Sequence, residues 1–157
     1  MSDHPLIMDQ RATDHDYLHK DFHGALADAI RYLDATYGED ATAQYLSEVG
    51  RVCYAPLIDK MKQQGLSALE QHLISVFTQE GGRFSIHWQD GVLVLEVTQC
   101  PAISHLVGTG RSFTPRFCQS TVHVNQAICR AAGYGTTCTY EPGQGRCVQK
   151  FFPEEKV

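Results

Sequence analysis

Six cysteines and eight histidines are the chemically notable part of this sequence. Thiols and imidazoles can act as nucleophiles, acids, bases or soft metal ligands. His15, His19 and His23 recur at every fourth position, so on a helix they share one face, a turn apart. His19 and His23 flank Phe22, Leu26 and Ile30, at the edge of an apolar stripe. Such imidazoles could bind a metal or hold a substrate carboxylate, with Asp21 orienting one of them as an acid or base. They could equally be half-buried histidines bonded to neighbours. His15 falls in a fraying first turn and is set aside.

Cys100-Pro101 closes a strand and opens a short helix. Proline removes a backbone donor and holds Cys100 extended. A thiol there suits nucleophilic attack or metal binding, and a helix N-terminus favours its thiolate. The competing reading is a small buried apolar residue. Cys118 opens the last helix in the same way, with His123 and Asn125 on its following turns. Asn125 is polar inside an otherwise apolar helix, so it should contact something specific, such as a substrate. Cys129 reads as core, and Cys138 and Cys147 as inward-facing residues of a final hairpin. A four-residue loop at 142–145 places Glu141 opposite Arg146 and Tyr140 opposite Cys147. Glu141 and Cys147 then face different sides of the sheet, unless a bulge or longer loop corrects the register.

The elements that must position these groups fall into two periods. Residues 1–14 read as a loose lead-in and 15–157 as one domain. Helical spacing runs from Asp16 to Tyr37, with Phe22, Leu26, Ala29, Ile30, Leu33 and Tyr37 as its buried stripe. A second helix spans Asp40 to Cys53, with Leu46, Val49 and Val52 or Cys53 inward. A third starts at Pro56 and stops at Gly65. Ser67-Ala-Leu-Glu70 reads as a capping box for a fourth, ended by Gly81-Gly82. Alternation then takes over. Phe84, Ile86 and Trp88 lead into Asp90-Gly91, a hairpin signal, and Val92 to Thr98 returns. A short helix with Ile103 and Leu106, a helix from Cys118 to Ala132, and a hairpin of Tyr134 to Glu141 and Arg146 to Phe152 complete the chain. This order predicts an α+β fold: N-terminal helices packed on an antiparallel sheet built from two β-hairpins separated by a helix.

Composition excludes several function classes. The chain has 157 residues, 43% of them hydrophobic, enough for one core and too apolar for disorder. No apolar run approaches a bilayer span. Net charge is −5, with no basic cluster, which argues against nucleic acid and anionic membranes. No export signal is visible, so a cytoplasmic protein with reduced thiols is expected. No CxxC pair occurs, which removes zinc-ribbon and thioredoxin-type motifs.

Several segments taken in order resemble the L-2-amino-thiazoline-4-carboxylic acid hydrolase family. They are His19-Lys-Asp-Phe-His23-Gly-Ala-Leu26, Tyr54-Ala-Pro-Leu-Ile58, Glu80-Gly-Gly82, Cys100-Pro-Ala-Ile103, Phe117-Cys118, Val124-Asn125-Gln-Ala-Ile128 and Gly145-Arg-Cys-Val-Gln149. The resemblance implies hydrolysis of a C–N bond in a cyclic amidine thioether, giving a carbamoyl-cysteine. Cys100 or Cys118 would be nucleophile or metal ligand, His19 or His23 the acid/base, and His123 and Asn125 substrate contacts. The hairpin–helix–hairpin order is similar to vinyl-reductase-type small-molecule-binding domains. That similarity implies a divalent metal such as zinc at Cys118, Glu141 and Cys147. The pattern also expects a cysteine soon after the glutamate, where this chain has Gln144. It supplies the alternative reading, a non-catalytic ligand-binding or sensor domain. The expected partner is a small molecule, with room for a homo-oligomer.

Overall fold

The computed structural model describes residues 21–155. The lead-in expected over 1–14 and the start of the first helix, with His15 and His19, lie outside them. Six helices and four strands follow in order: α1 (Asp21–Tyr37), α2 (Glu39–Cys53), α3 (Ala55–Gln64), α4 (Leu66–Gln79), β1 (Arg83–Gln89), β2 (Val92–Gln99), α5 (Pro101–Gly108), α6 (Gln119–Ala132), β3 (Tyr134–Glu141) and β4 (Arg146–Pro153). The strands form one antiparallel sheet in the order β1-β2-β4-β3. Two hairpins thus meet through β2 and β4, and the expected α+β architecture is the one observed.

Register sorts the inward side chains into rows. Phe84, Val97, Cys147 and Tyr140 stand side by side across the four strands. Ile86, Leu95, Gln149 and Cys138 form the next row, and Trp88, Leu93, Phe151 and Thr136 the third. Leu93, Leu95, Val97 and Phe151 are buried against Leu57, Ile58, Met61, Leu69, Ile128 and Cys129 of the helices. A second apolar cluster joins Ala27 and Ile30 of α1 to Ile103 and Leu106 of α5 and to Phe117. Cys100 packs against both clusters. The turn at Asp90-Gly91 has φ of 51° and 78°, the left-handed pair that a two-residue hairpin requires.

Three local expectations change. The buried stripe of α1 runs through His23, Ala27 and Ile30, while Phe22 and Tyr37 are exposed. Helical spacing allows both stripes, and packing on α5 selects the one with smaller side chains. Val52 and Cys53 are likewise both exposed, because α2 turns Thr42, Leu46 and Gly50 inward. The capping box does not form. Helix α4 starts two residues earlier, at Leu66 with Gly65 as N-cap, Ser67 Oγ donates to the Gln64 carbonyl, and Glu70 accepts from Trp88 Nε1 at 3.0 Å.

Charged contacts fasten the segment between α5 and α6 to the N-terminal helices. Arg111 donates to Asp28 at 2.8 Å, and Arg116 to Asp34 at 2.9 Å, with Glu39 at 3.2 Å from the same guanidinium. Thr42 Oγ1 donates to the other Asp34 oxygen at 2.6 Å. Burial alone would raise the Asp34 carboxyl, but bonds from Thr42 and Arg116 hold it below its ordinary value.

Helices α2 and α6 cross at Gly50. A Cβ there would lie 2.7 Å from the Val124 carbonyl oxygen and 2.9 Å from Ala127 Cβ. Backbone cannot yield cheaply, so Gly50→Ala should destabilise by about 1–3 kcal/mol. Gly108 in α5 has nothing within 4 Å, and Gly108→Ala should be neutral or stabilising by up to about 1 kcal/mol. Urea unfolding of the two variants checks the contrast.

Candidate functional site: a thiol cluster below two helix ends

Four of the six cysteines converge at one end of the inner sheet face. Cys100 caps α5 with extended backbone (φ −71°, ψ 126°), and its N–H donates to the Gly145 carbonyl at 2.8 Å. That bond ties the end of the first hairpin to the turn of the second. Cys118 caps α6. Cys138 and Cys147 occupy diagonal positions on the same face of the β3–β4 hairpin, because Cys138 pairs with Gln149 and Tyr140 with Cys147. Their thiols perturb each other's acidity, and Cys100 and Cys118 interact electrostatically with the pair.

A line of amides runs into this cluster from behind. Asn125 Nδ2 donates to Gln149 Oε1 at 2.8 Å, and Gln149 Nε2 donates to Cys147 Sγ at 3.3 Å. Gln149 is buried, and its neighbours along the row are Leu95 and Cys138. Asn125 fixes which way the Gln149 amide points, so an N–H rather than a carbonyl faces the sulfur. Gln119 Nε2 donates to Tyr140 Oη at 2.6 Å, closing the far side.

These contacts decide where a negative charge settles. The adjoining Cys138 thiol and the Gln149 amide favour the Cys147 thiolate and outweigh its burial, so its thiol is pulled below the ordinary cysteine value. Cys138 is raised, first by that same neighbour and then by burial. Burial pushes Cys118 up to about 12, with the charges of Cys100 and Cys147 adding to it. Burial also raises Cys100, against the pull of the Ile103 and Ala102 N–H groups. The two helix-capping thiols are therefore the weaker acids. Helix termini favour their thiolates, but burial opposes this more strongly.

A carboxylate–imidazole pair lies on the other side of Cys100. His23 Nε2 stands 3.7 Å from Glu80 Oε2, and the His105 ring centroid is 6.1 Å from that of His23. Glu80 adds to the upward shift of Cys100 and to that of Tyr54, whose hydroxyl is raised chiefly by burial. Tyr54, Glu80, His23 and Cys100 come from four separate stretches of chain. An open cleft of about 620 Å³ between α3 and α4 begins at Tyr54 and is lined further by Lys60, Gln71 and His72. The His72 imidazole is held neutral by burial and by Lys60.

The expected site residues divide accordingly. Cys100, Cys118 and Cys147 come together, and His23 approaches Cys100 through Glu80. Asn125 reaches Cys147 through Gln149. Asp21 opens α1. His123 lies near Arg116 instead, which together with burial lowers its basicity. Glu141 pairs with Arg146 on the sheet face opposite Cys147 and is exposed, as the four-residue loop dictates. The triad of Cys118, Glu141 and Cys147 therefore does not fit a zinc ion. Among the described residues, no group of three or more His, Cys, Asp or Glu is arranged to hold a metal. Sequence reasoning placed Cys138 inward without a role and passed over Glu80 and Gln149 as single residues. A buried amide two positions from a cysteine on an apolar row was the signal available.

No protein-family model, curated protein or solved structure matches the chain. Among the described residues, no helix is long and apolar enough to cross a membrane.

The thiol arrangement predicts its own pH profile. Iodoacetamide should modify Cys147 with a midpoint at lower pH than Cys100 or Cys118, its rate falling about tenfold per pH unit below that midpoint as the thiolate is protonated. Gln149→Leu removes the amide donor and should move the midpoint upward. Mass-mapped alkylation rates across pH 5–9, a range set roughly around the cysteine values, check both.

Proposed function

We propose that the protein is a hydrolase opening a small cyclic amidine of the 2-amino-thiazoline-4-carboxylate type, with Cys147 as the nucleophile. The observation that carries this reading is the Gln149 amide donating to the Cys147 sulfur at 3.3 Å. A donor aimed at the sulfur favours its thiolate, the form that attacks. The family resemblance rests on seven ordered segments, and the functional groups of six of them lie around this cluster or the Glu80–His23 pair. The nucleophile suggested by the helix ends, Cys100 or Cys118, gives way in this reading to Cys147.

The thiolate attacks the amidine carbon and forms a C–S bond. The ring C–N bond breaks, and its electron pair stays on nitrogen, which takes a proton from His23. Water then adds to the same carbon, giving up protons to the imidazole, and Cys147 leaves as the thiolate. The net change is substrate plus water to a carbamoyl-cysteine. Glu80 lies 3.7 Å from the His23 imidazole, as a carboxylate that pairs with it in this role. The reading includes a cytoplasmic setting with reduced thiols and a small-molecule partner.

A second reading, a non-catalytic ligand-binding domain, is favoured by one observation. The 620 Å³ cleft lies between α3 and α4, where Lys60, Gln71 and His72 line it and none of Cys100, Cys118, Cys138 and Cys147 does. Turnover separates the two. Cys147→Ser should reduce ring opening of 2-amino-thiazoline-4-carboxylate by at least about a thousandfold, and His23→Gln by about a hundredfold or more. Both variants should retain the wild-type far-UV spectrum. Absence of turnover by the wild-type protein, with saturable binding of the same compound, would leave the binding-domain reading standing.

A further inference from the structure

We propose that Cys138 and Cys147 form a peroxide-reactive dithiol that closes to a disulfide across the β3–β4 hairpin. Nothing in this step depends on the hydrolase reading. The register puts the two cysteines on one face at diagonal positions of adjacent strands, near enough for each thiol to shift the other's acidity. Both are half-buried, so a molecule as small as hydrogen peroxide can reach them. The Gln149 amide donates to Cys147 and has no counterpart on Cys138 among the described contacts, so the two thiols are inequivalent. Cys147, which ionises first, is the attacking group, and Cys138, held as a thiol beside it, is the resolving group. This division of labour is what a two-cysteine oxidation site needs.

The chemistry balances with hydrogen peroxide as oxidant. The Cys147 thiolate attacks one peroxide oxygen, the O–O bond breaks, and hydroxide leaves to be protonated. Cys147 is now a sulfenic acid. The Cys138 sulfur attacks the Cys147 sulfur, the S–O bond breaks, and water departs with the Cys138 proton. Two thiols have lost two electrons, and one peroxide has become two waters. A small dithiol reductant returns both electrons and restores the pair. Closure removes the acceptor of the Gln149 amide, so oxidation disconnects the line from Asn125 to the sulfur.

Trypsin separates the two residues, since it cuts after Arg130, Arg146 and Lys150 and leaves peptides 131–146 and 147–150. The test uses reduced full-length protein carrying Cys53→Ser, which removes the exposed thiol. One equivalent of hydrogen peroxide should join those two peptides, at a combined mass two hydrogens below their sum. A dithiol should undo the link. Cys138→Ser should stop at a sulfenic acid on Cys147, trapped by dimedone. Cys147→Ser should consume peroxide at least about tenfold more slowly. Pairing of Cys147 with Cys100 or Cys118, or oxidation that leaves Cys147 open to alkylation, would overturn the proposal. If Cys138→Ser does not fold, the peptide map of the protein with Cys138 intact decides the matter alone.

Discussion

The pairing of β2 with β4 is the constraint on which the rest of the molecule depends. It aligns Leu93, Leu95 and Val97 with Phe151, Gln149 and Cys147, and so fuses two local hairpins into one sheet with one inner face. A slip of one residue would turn Phe151 out and Lys150 in, exchanging a buried ring for a buried ammonium. The same register carries Gly145 to the end of β2, where its carbonyl meets the Cys100 N–H. Sheet, helix layer and thiol cluster are therefore fixed by one set of backbone bonds. The apolar rows stabilise the register, and the register determines which cysteines meet.

Within that frame the polar groups obey burial rather than position in the chain. Two thiols sit at helix N-termini, the place where a field favours a thiolate, yet both are shifted against it by desolvation. The thiol that ionises most readily of these lies near the start of β4 and has no helix dipole behind it. What it has is the Gln149 amide aimed at the sulfur, beside the Cys138 thiol. Short-range hydrogen bonding outweighs the longer-range field because the site is largely shielded from water. The Asp34 carboxylate, held by Thr42 and Arg116, shows the same preference on the opposite flank.

Much of this was legible in the amino-acid order. The change of period after Gly82, the Asp90-Gly91 turn and the four-residue loop after Glu141 fixed the strands, their pairing within each hairpin and the face of every residue on them. Pairing between hairpins was not legible, because β2 opens with an unbroken apolar run, Val92 to Leu95, that does not specify its neighbouring strand. The stripe of α1 was misassigned for a related reason. Phe22 and His23 are adjacent, and hydrophobicity favours the phenyl ring, whereas the partner helix accepts the smaller Ala27–Ile30 side with His23 at its end. Asn125 was recognisable as needing a partner. The partner itself, Gln149, lies 24 residues away on a strand, and local patterning carries no information at that range.

The thiol pair and the amides that tune it differ in how far the chain must travel to bring them together. Cys138 and Cys147 belong to one hairpin with a four-residue turn, so a nascent hairpin already makes neighbours of them. Joining Asn125 to Gln149 closes a longer loop, and placing Cys100 against Gly145 a longer one still. Loop-closure entropy grows with separation, and contacts of this kind form later as a chain folds. The sulfur pair is thus the part of the site that can exist first, and its acidity is conferred afterwards, when α6 docks and Asn125 turns the Gln149 amide toward it.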